Sequence, residues 1–247
     1  MNGPTPSSTA LTQPWRLPPR GLAVFHGECD APRLSHYFLP RLVLEGKRIL
    51  FLDGANCANP RLMARLAERR GVPFAQFNRQ IKLARAFTCF QLTELISRVP
   101  QFLAEFPAQV LMVTAFPELY FDEDIRPADA SAAFKQALDH LRRWASQTTV
   151  ALFSSVTGFH PPVCRKLFFA QTCAVATELW KFQLDDRGEL GLTRQGTAKQ
   201  VAEKPFGTVI LRSPALRDDL PAQAGEESRS SMKMRRARSF SCRAGSG

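Results

Sequence analysis

The sequence predicts an α/β protein, a doubly wound and mostly parallel sheet with an antiparallel extension near its C-terminal end. Three observations carry this. From Gly21 onward, short apolar runs of strand length alternate with stretches of helical periodicity. The runs are apolar along their length, as strands covered on both faces are. Two strand-like segments then face each other across Asp186-Arg187-Gly188, a hairpin signal. The order β-α-β-α-β-α-β followed by antiparallel strands is that of a doubly wound sheet.

Each element has its own justification. In "VFHGECDAPRLSHYFL", residues 24–39, an apolar run from Gly21 to Phe25 leads through Gly27 and a polar loop into a helix-like stretch. "RILFLDG", 48–54, is a short buried strand ending in Asp-Gly. In "NPRLMARLAERRG", Asn59 suits the N-cap, Pro60 the first helical position and Gly71 the stop, with Leu62, Met63, Leu66 and Ala67 as the apolar face. "IKLARAF", 81–87, is the next strand. Thr88 and Gln91 form a capping box before a helix with Leu92, Leu95, Ile96 and Val99 on one face, which Pro100 kinks or ends. "QVLMVTAF", 109–116, is the most apolar strand and is expected at the centre of the sheet. "FDEDIRPADAS" reads as a loop. Phe134, Ala137, Leu138, Leu141 and Trp144 recur at helical spacing and predict a long helix ending near Ser146, with Trp144 buried against the sheet. "TTVALFSS", 148–155, is a further buried strand, "PVCRKLFFAQ" a short helix, and "AVATELWKFQLDDRGELGLTRQG" the final hairpin.

Composition divides the 247 residues into three parts. Residues 1–20 are rich in Pro, Ser and Thr and are expected to be disordered. Residues 21–212 carry the apolar periodicity. Residues 213–247 are polar and are expected to be a disordered basic tail; from Glu226 onward six basic residues stand against Glu226 and Glu227. The net charge of +11 points to an acidic partner such as nucleic acid or an anionic membrane, or serves solubility alone. No apolar run reaches the roughly 18 residues needed to span a bilayer, and the N-terminus lacks an apolar leader region. Six scattered cysteines without metal-type pairing fit reduced thiols in the cytoplasm.

"ILFLDGANCANPRLMARLAERRGVPFAQFNRQIKLARAFTCFQLTELI", residues 49–96, resembles the corresponding stretch of RecA/RadA-type recombinases. In that family an apolar strand ending in Asp precedes a helix that often begins after a Pro, and an "ARAF"-like strand end leads into the next helix. "VLMVTAFPELYFDEDI" falls where the family has its second metal-binding strand, and "AFKQALDHLRRWASQTTVALFSS" matches the helix and strand that follow. The resemblance covers roughly residues 21–212 and implies a RecA-like sheet. It also implies three stations of nucleotide chemistry.

All three stations depart from the family's pattern. A phosphate-binding loop reads G-x-x-x-x-G-K-[ST], its glycines exposing N–H groups, its Lys neutralising charge and its hydroxyl holding Mg²⁺. With Gly27 as the first glycine, Pro32 stands at the second, Arg33 at the Lys and Leu34 at the hydroxyl, and Asp30 puts negative charge inside the cradle. Only Gly27 and Arg33 remain of a vestigial nucleotide loop. Ala55 stands where the resemblance places a water-activating Glu, and Ala cannot act as a base. Thr114 stands where the metal-binding strand should end in Asp. The expectation is a domain without ATPase activity, with no catalytic residue, no metal and no cofactor.

Other constellations carry no chemistry of their own. His26, Cys29 and His36 match no standard zinc spacing and read as structural. His160 precedes two prolines and reads as a loop residue. Asp122, Glu123 and Asp124 read as a solvated acidic loop, and Asp185, Asp186 and Glu189 as turn formers. Arg65, Arg69, Arg70, Arg142 and Arg143 lie on polar helix faces. "KMRRAR" differs, because Lys233, Arg235, Arg236 and Arg238 form a charge run able to contact phosphates.

The chain is similar to the cell-division-inhibitor and mutagenesis-accessory branch of the bacterial family. That similarity implies a non-catalytic RecA-like accessory protein in DNA repair, damage response (the SOS response) or translesion synthesis. It would bind a protein partner such as a recombinase or polymerase, and single-stranded DNA. Two alternatives stay open. One is a nucleotide-dependent enzyme with an unorthodox loop, using Arg33 and the Asp122–Asp124 cluster. The other is a regulatory interaction domain unrelated to DNA.

Overall fold

A computed structural model describes residues 17–27, 31–155, 165–184, 190–195 and 208–210. Eight strands form one sheet: β1 (Gly21–His26), β2 (Ile49–Asp53), β3 (Ile81–Arg85), β4 (Val110–Thr114), β5 (Thr149–Ser154), β6 (Glu178–Leu184), β7 (Leu190–Gln195) and β8 (Thr208–Ile210). Their spatial order is β3-β2-β4-β5-β1-β6-β7-β8. The run from β3 to β6 is parallel throughout. β6 and β7 form the predicted antiparallel hairpin, and β7 pairs antiparallel with β8. The predicted α/β class is therefore the observed one, and the architecture is consistent with a RecA-like arrangement. The turn at residues 185–189 lies outside the described residues.

The chain divides into two compact units, residues 1–183 with 191–210 and residues 184–190 with 211–247. Of the second unit only Leu184 and Leu190 are described, so the account below concerns the first.

The central strands are buried on both faces, which explains why their sequences are apolar rather than alternating. One face of the sheet carries Leu22, Val24, Leu52, Val113, Val150 and Leu152. It packs on α5 (Cys89–Ser97), α7 (Pro127–Ala145) and α8 (Leu167–Val175). Phe134 of α7 lies in this layer, stacked on Phe168 of α8 with ring centroids 4.2 Å apart. The other face carries Phe25, Phe51 and Phe153. Above it lie α1 (Ala31–Leu34), a 3-10 segment (Ser35–Phe38), α2 (Leu39–Leu44), α3 (Pro60–Arg69) and α4 (Phe74–Arg79). Each fully buried Phe contributes about 1.5–3 kcal/mol of transfer free energy.

Local signals placed several boundaries. Asn59 Oδ1 accepts the N–H groups of Arg61 and Leu62 at 3.0 and 3.1 Å, and α3 begins at Pro60. Such a cap contributes about 1 kcal/mol. Thr88 Oγ1 accepts Gln91 N–H at 3.2 Å, while Gln91 Oε1 accepts Phe87 N–H at 2.8 Å, one residue before the cap. Pro100 sits in the first turn of α6 (Val99–Glu105), directly after the break at Arg98.

Four expectations change. α7 begins at Pro127, inside the stretch read as a loop, because Pro is favourable at N1 and the acidic loop is only Asp122–Arg126. α4 and β8 went unpredicted, six and three residues being too short to establish a period. α8 runs on to Val175, past the predicted helix. Trp144 is only partly buried, although Phe134, Ala137, Leu138 and Leu141 are fully so. The helix phase is right, but Trp144 lies near the amino ends of the strands. There it lines a cavity of about 660 Å³ with Leu42, Leu103, Gln109 and Thr148.

The described chain starts before Gly21. Thr149 Oγ1 donates to Pro18 O at 2.7 Å, tying the segment before β1 to the start of β5. Residues 1–16 and the tail from 211 onward lie outside the described residues. No described helix is long and apolar enough to cross a membrane.

Candidate functional site

Parallel strands bring their carboxyl ends to one edge, where open α/β sheets place their ligands. That edge holds His26 of β1, Asp53 of β2, Thr114 of β4 and Ser154 of β5, followed by the segments where nucleotide chemistry was sought.

Gly27 follows β1 with its N–H bonded to Ser154 O at 3.1 Å. A Cβ there would meet Phe182 Cβ at 2.9 Å and Phe182 O at 3.2 Å. Close packing against β6 thus requires glycine at this position. Residues 28–30, including Cys29 and Asp30, lie outside the described residues. The helix that should present its N-terminus to phosphate is broken. α1 spans four residues, a 3-10 segment follows, and α2 carries Pro40 in its first turn. Pro32 and Leu34 are buried and Arg33 is exposed.

The space beneath is filled with rings. Phe38 packs on Phe25 and Phe153 at centroid distances of 5.2 and 5.3 Å, and Phe182 closes on Phe25 at 6.0 Å. His36 is fully buried beside them. Its Nδ1–H donates to Arg33 O at 2.8 Å, which leaves Nε2 to accept Asn59 N–H at 3.2 Å. Burial lowers its pKa, against the opposing bond to Arg33 O, and keeps the ring neutral. His36 thereby fastens the segment after β1 to the start of α3. His26 is also buried, with Nε2 bonded to Gln195 at 2.8 Å, and burial lowers its pKa too. The two histidines serve separate contacts. Among the described residues no group of three or more His, Cys, Asp and Glu is placed to hold a metal.

Asp53 is fully buried and organises the second station. Its Oδ1 accepts Thr114 Oγ1–H at 3.0 Å and Cys57 N–H at 3.1 Å. Its Oδ2 accepts Ala58 N–H at 2.8 Å and lies 3.5 Å from Arg85 Nε. Arg85 Nη2 also donates to Ala58 O at 2.7 Å. The carboxylate is matched by one guanidinium and by donors on both oxygens, as a buried charge must be. Cys57 beside it is pushed up to about 12, by burial and then by the Asp53 charge, so its thiol stays protonated and unreactive. Thr114 is used twice, since its oxygen also accepts Ala55 N–H at 3.1 Å. A Cβ at Gly54 would meet Thr114 O at 2.6 Å, so the backbone itself occupies the gap between the two stations.

Two buried ionisable groups lie nearby that the sequence reading did not single out. Glu118 follows β4 and is half-buried with its carboxylate turned inward, Oε1 accepting Ser155 N–H and the buried Oε2 having no hydrogen-bond partner among the described residues. Burial raises its pKa to about 7. A lone carboxylate inside the apolar run "VTAFPELYF" was the available signal. Arg165 is buried and donates to the carbonyls of Asp122 and Ile125, holding the acidic loop by its backbone. Asp122, Glu123 and Asp124 point to solvent, as a solvated loop does. Lys233, Arg235, Arg236 and Arg238 lie outside the described residues, as do His160, Asp185, Asp186 and Glu189. No family model and no curated protein matches the chain.

Proposed function

We propose that this chain is a RecA-like accessory protein without ATPase activity, acting in the cytoplasm in DNA repair, damage response or translesion synthesis. It works by binding a protein partner such as a recombinase or polymerase, with single-stranded DNA as a ligand of its basic tail. The observation that supports the non-catalytic part is the Thr114–Asp53 bond, 3.0 Å long in a fully buried setting. At the place where the resembling family holds metal and activates water, the groups present satisfy one another.

The pathway rests on the resemblance of residues 49–96 and on the charge run at 233–238. Affinity purification of the full chain from its native cell, with phosphate release measured separately on the purified chain free of partners, tests the proposal. Recovery of a recombinase or polymerase with background ATP turnover is expected. Mg²⁺-dependent turnover that Arg33→Ala abolishes would overturn the non-catalytic part, and recovery of metabolic enzymes alone would overturn the pathway.

A further inference from the structure

We propose that the cavity at the amino ends of the strands is a docking site for the chain's own Trp15, whose indole fills it while a backbone carbonyl beside that residue accepts the Trp144 Nε1–H. The inference stands apart from the proposed function. The cavity measures about 660 Å³, within the roughly 300–1,000 Å³ of pockets that enclose a ligand. It lies at the edge of the sheet opposite to His26, Asp53 and Thr114. β4 and β5 begin at its wall with Val110 and Thr149, and Leu42 of α2, Leu103 of α6 and Trp144 of α7 add apolar surface.

The hydrogen bonds around the cavity define what it can hold. Thr148 Oγ1 donates to Gln109 O and Thr149 Oγ1 to Pro18 O, both at 2.7 Å, while Gln109 Oε1 accepts Arg48 N–H at 2.7 Å. Trp144 Nε1 stands outside this pairing. Its N–H is shut off from water and has no acceptor among the described residues. A buried donor left unpaired is costly, so an acceptor is expected to enter here. Lys47 and Glu45 at the rim carry opposite charges and select no ligand of either sign. The site therefore suits an apolar group that brings one carbonyl with it.

The course of the chain selects the occupant. The described residues begin at Leu17, and Leu17, Pro18 and Pro19 themselves line the cavity. The Thr149–Pro18 bond fixes this stretch to the wall. Trp15 is two residues from Leu17, a reach of at most about 7 Å. It is the only aromatic residue among the first sixteen, and an indole buries about 150–250 Å². Pro14, Pro18 and Pro19 restrict the backbone on both sides of it, which lowers the entropy lost on docking. Tethered so closely, Trp15 has an effective concentration of at least about 1 mM at the site, an advantage that a segment of a second copy lacks.

The test uses the full chain with nitrogen-15 in its indoles and reads the exchange of each indole N–H with water by NMR. Trp144→Phe assigns the Trp144 signal. Slow exchange at Trp144 is expected in the wild type, at least about tenfold faster exchange in Trp15→Ala, and no change in Leu11→Ala. Trp15→Phe keeps an apolar ring and should fall between the wild type and Trp15→Ala. Unchanged backbone signals from β4 and β5 show that the variants fold. Added to Trp15→Ala, a peptide of residues 11–17 should restore slow exchange, and the same peptide with Trp15→Ala should not. Fast exchange in the wild type, equal exchange in Trp15→Ala, an equal effect of Leu11→Ala or rescue by the altered peptide overturns the proposal. Protection that disappears on dilution assigns the site to Trp15 of a second copy, which also overturns it.

Discussion

Thr114 donates its hydroxyl proton to Asp53 across 61 residues of sequence, Oγ1 to Oδ1 at 3.0 Å, and accepts Ala55 N–H at 3.1 Å. One hydroxyl thus ties the end of β4 to both the last residue of β2 and the turn after it. Thr114→Val keeps the shape and leaves a buried carboxylate oxygen and an N–H each short of a partner. It should lower stability by about 1–3 kcal/mol in urea unfolding. Thr114→Asp introduces a carboxylate at this position and sets it beside Asp53 in a buried site. It should cost more than Thr114→Val, and neither variant should release phosphate from ATP above background. Turnover in Thr114→Asp would show that the edge still admits nucleotide.

The layer between α7 and α8 gives a graded test of packing. Phe134 is fully buried and stacked on Phe168. Phe134→Ala should cost about 3–5 kcal/mol, the range for deleting a buried ring. Trp144 is partly buried and borders a cavity, so Trp144→Ala should cost less than about 3 kcal/mol. Equal losses in the two variants would place Trp144 deeper in the core than its contacts indicate.

The difference between these two residues shows what a sequence can carry. Helical spacing put Phe134, Leu138, Leu141 and Trp144 on one face, and that phase is right. Spacing holds no information on where a helix overruns the end of a sheet, and Trp144 sits at that end. That Pro32, Ala55 and Thr114 lack the groups of a phosphate-binding site was readable in the same local way, from residue type alone. What packs around these positions was not readable. Gly27 is held by Phe182, and Asp53 by Thr114 and Arg85, all contacts between distant segments that periodicity does not encode. Glu118 escaped for a related reason, since its burial arises from the ends of β4 and β5 meeting.

The tail is tested by deletion. Residues 213–247 offer few apolar groups, and Lys233, Arg235, Arg236 and Arg238 lie close together. Each cation that neutralises a phosphate releases counterions, so affinity falls as salt rises. Removing residues 213–247 should weaken binding to single-stranded DNA and flatten its salt dependence, leaving the melting temperature nearly unchanged. Equal affinity with an equal salt slope in the truncated chain would remove DNA from the proposed function.

The buried ionisable groups predict two opposed responses to pH. Glu118 has a folded pKa of about 7, against about 4.3 for an unfolded Glu. A raised carboxyl pKa means that the fold holds the proton more tightly than the unfolded chain. Its stabilising contribution is therefore full below about pH 4.3 and is lost as pH rises through about 7, a swing of about 4 kcal/mol. His26 and His36 act the other way. Burial lowers both, so their contribution is present above about pH 6.5 and is lost as pH falls, when the unfolded chain takes up the protons. The wild-type profile sums the two and conceals each. Glu118→Gln keeps an acceptor for Ser155 N–H and removes the titration. Urea unfolding at about pH 5, 6 and 8 should show the variant gaining on the wild type as pH rises, to a difference approaching 3 kcal/mol. The variant alone should lose stability steadily as pH falls below about 6.5. A difference between the two proteins that stays constant across this range would mean that Glu118 keeps its ordinary pKa in the fold.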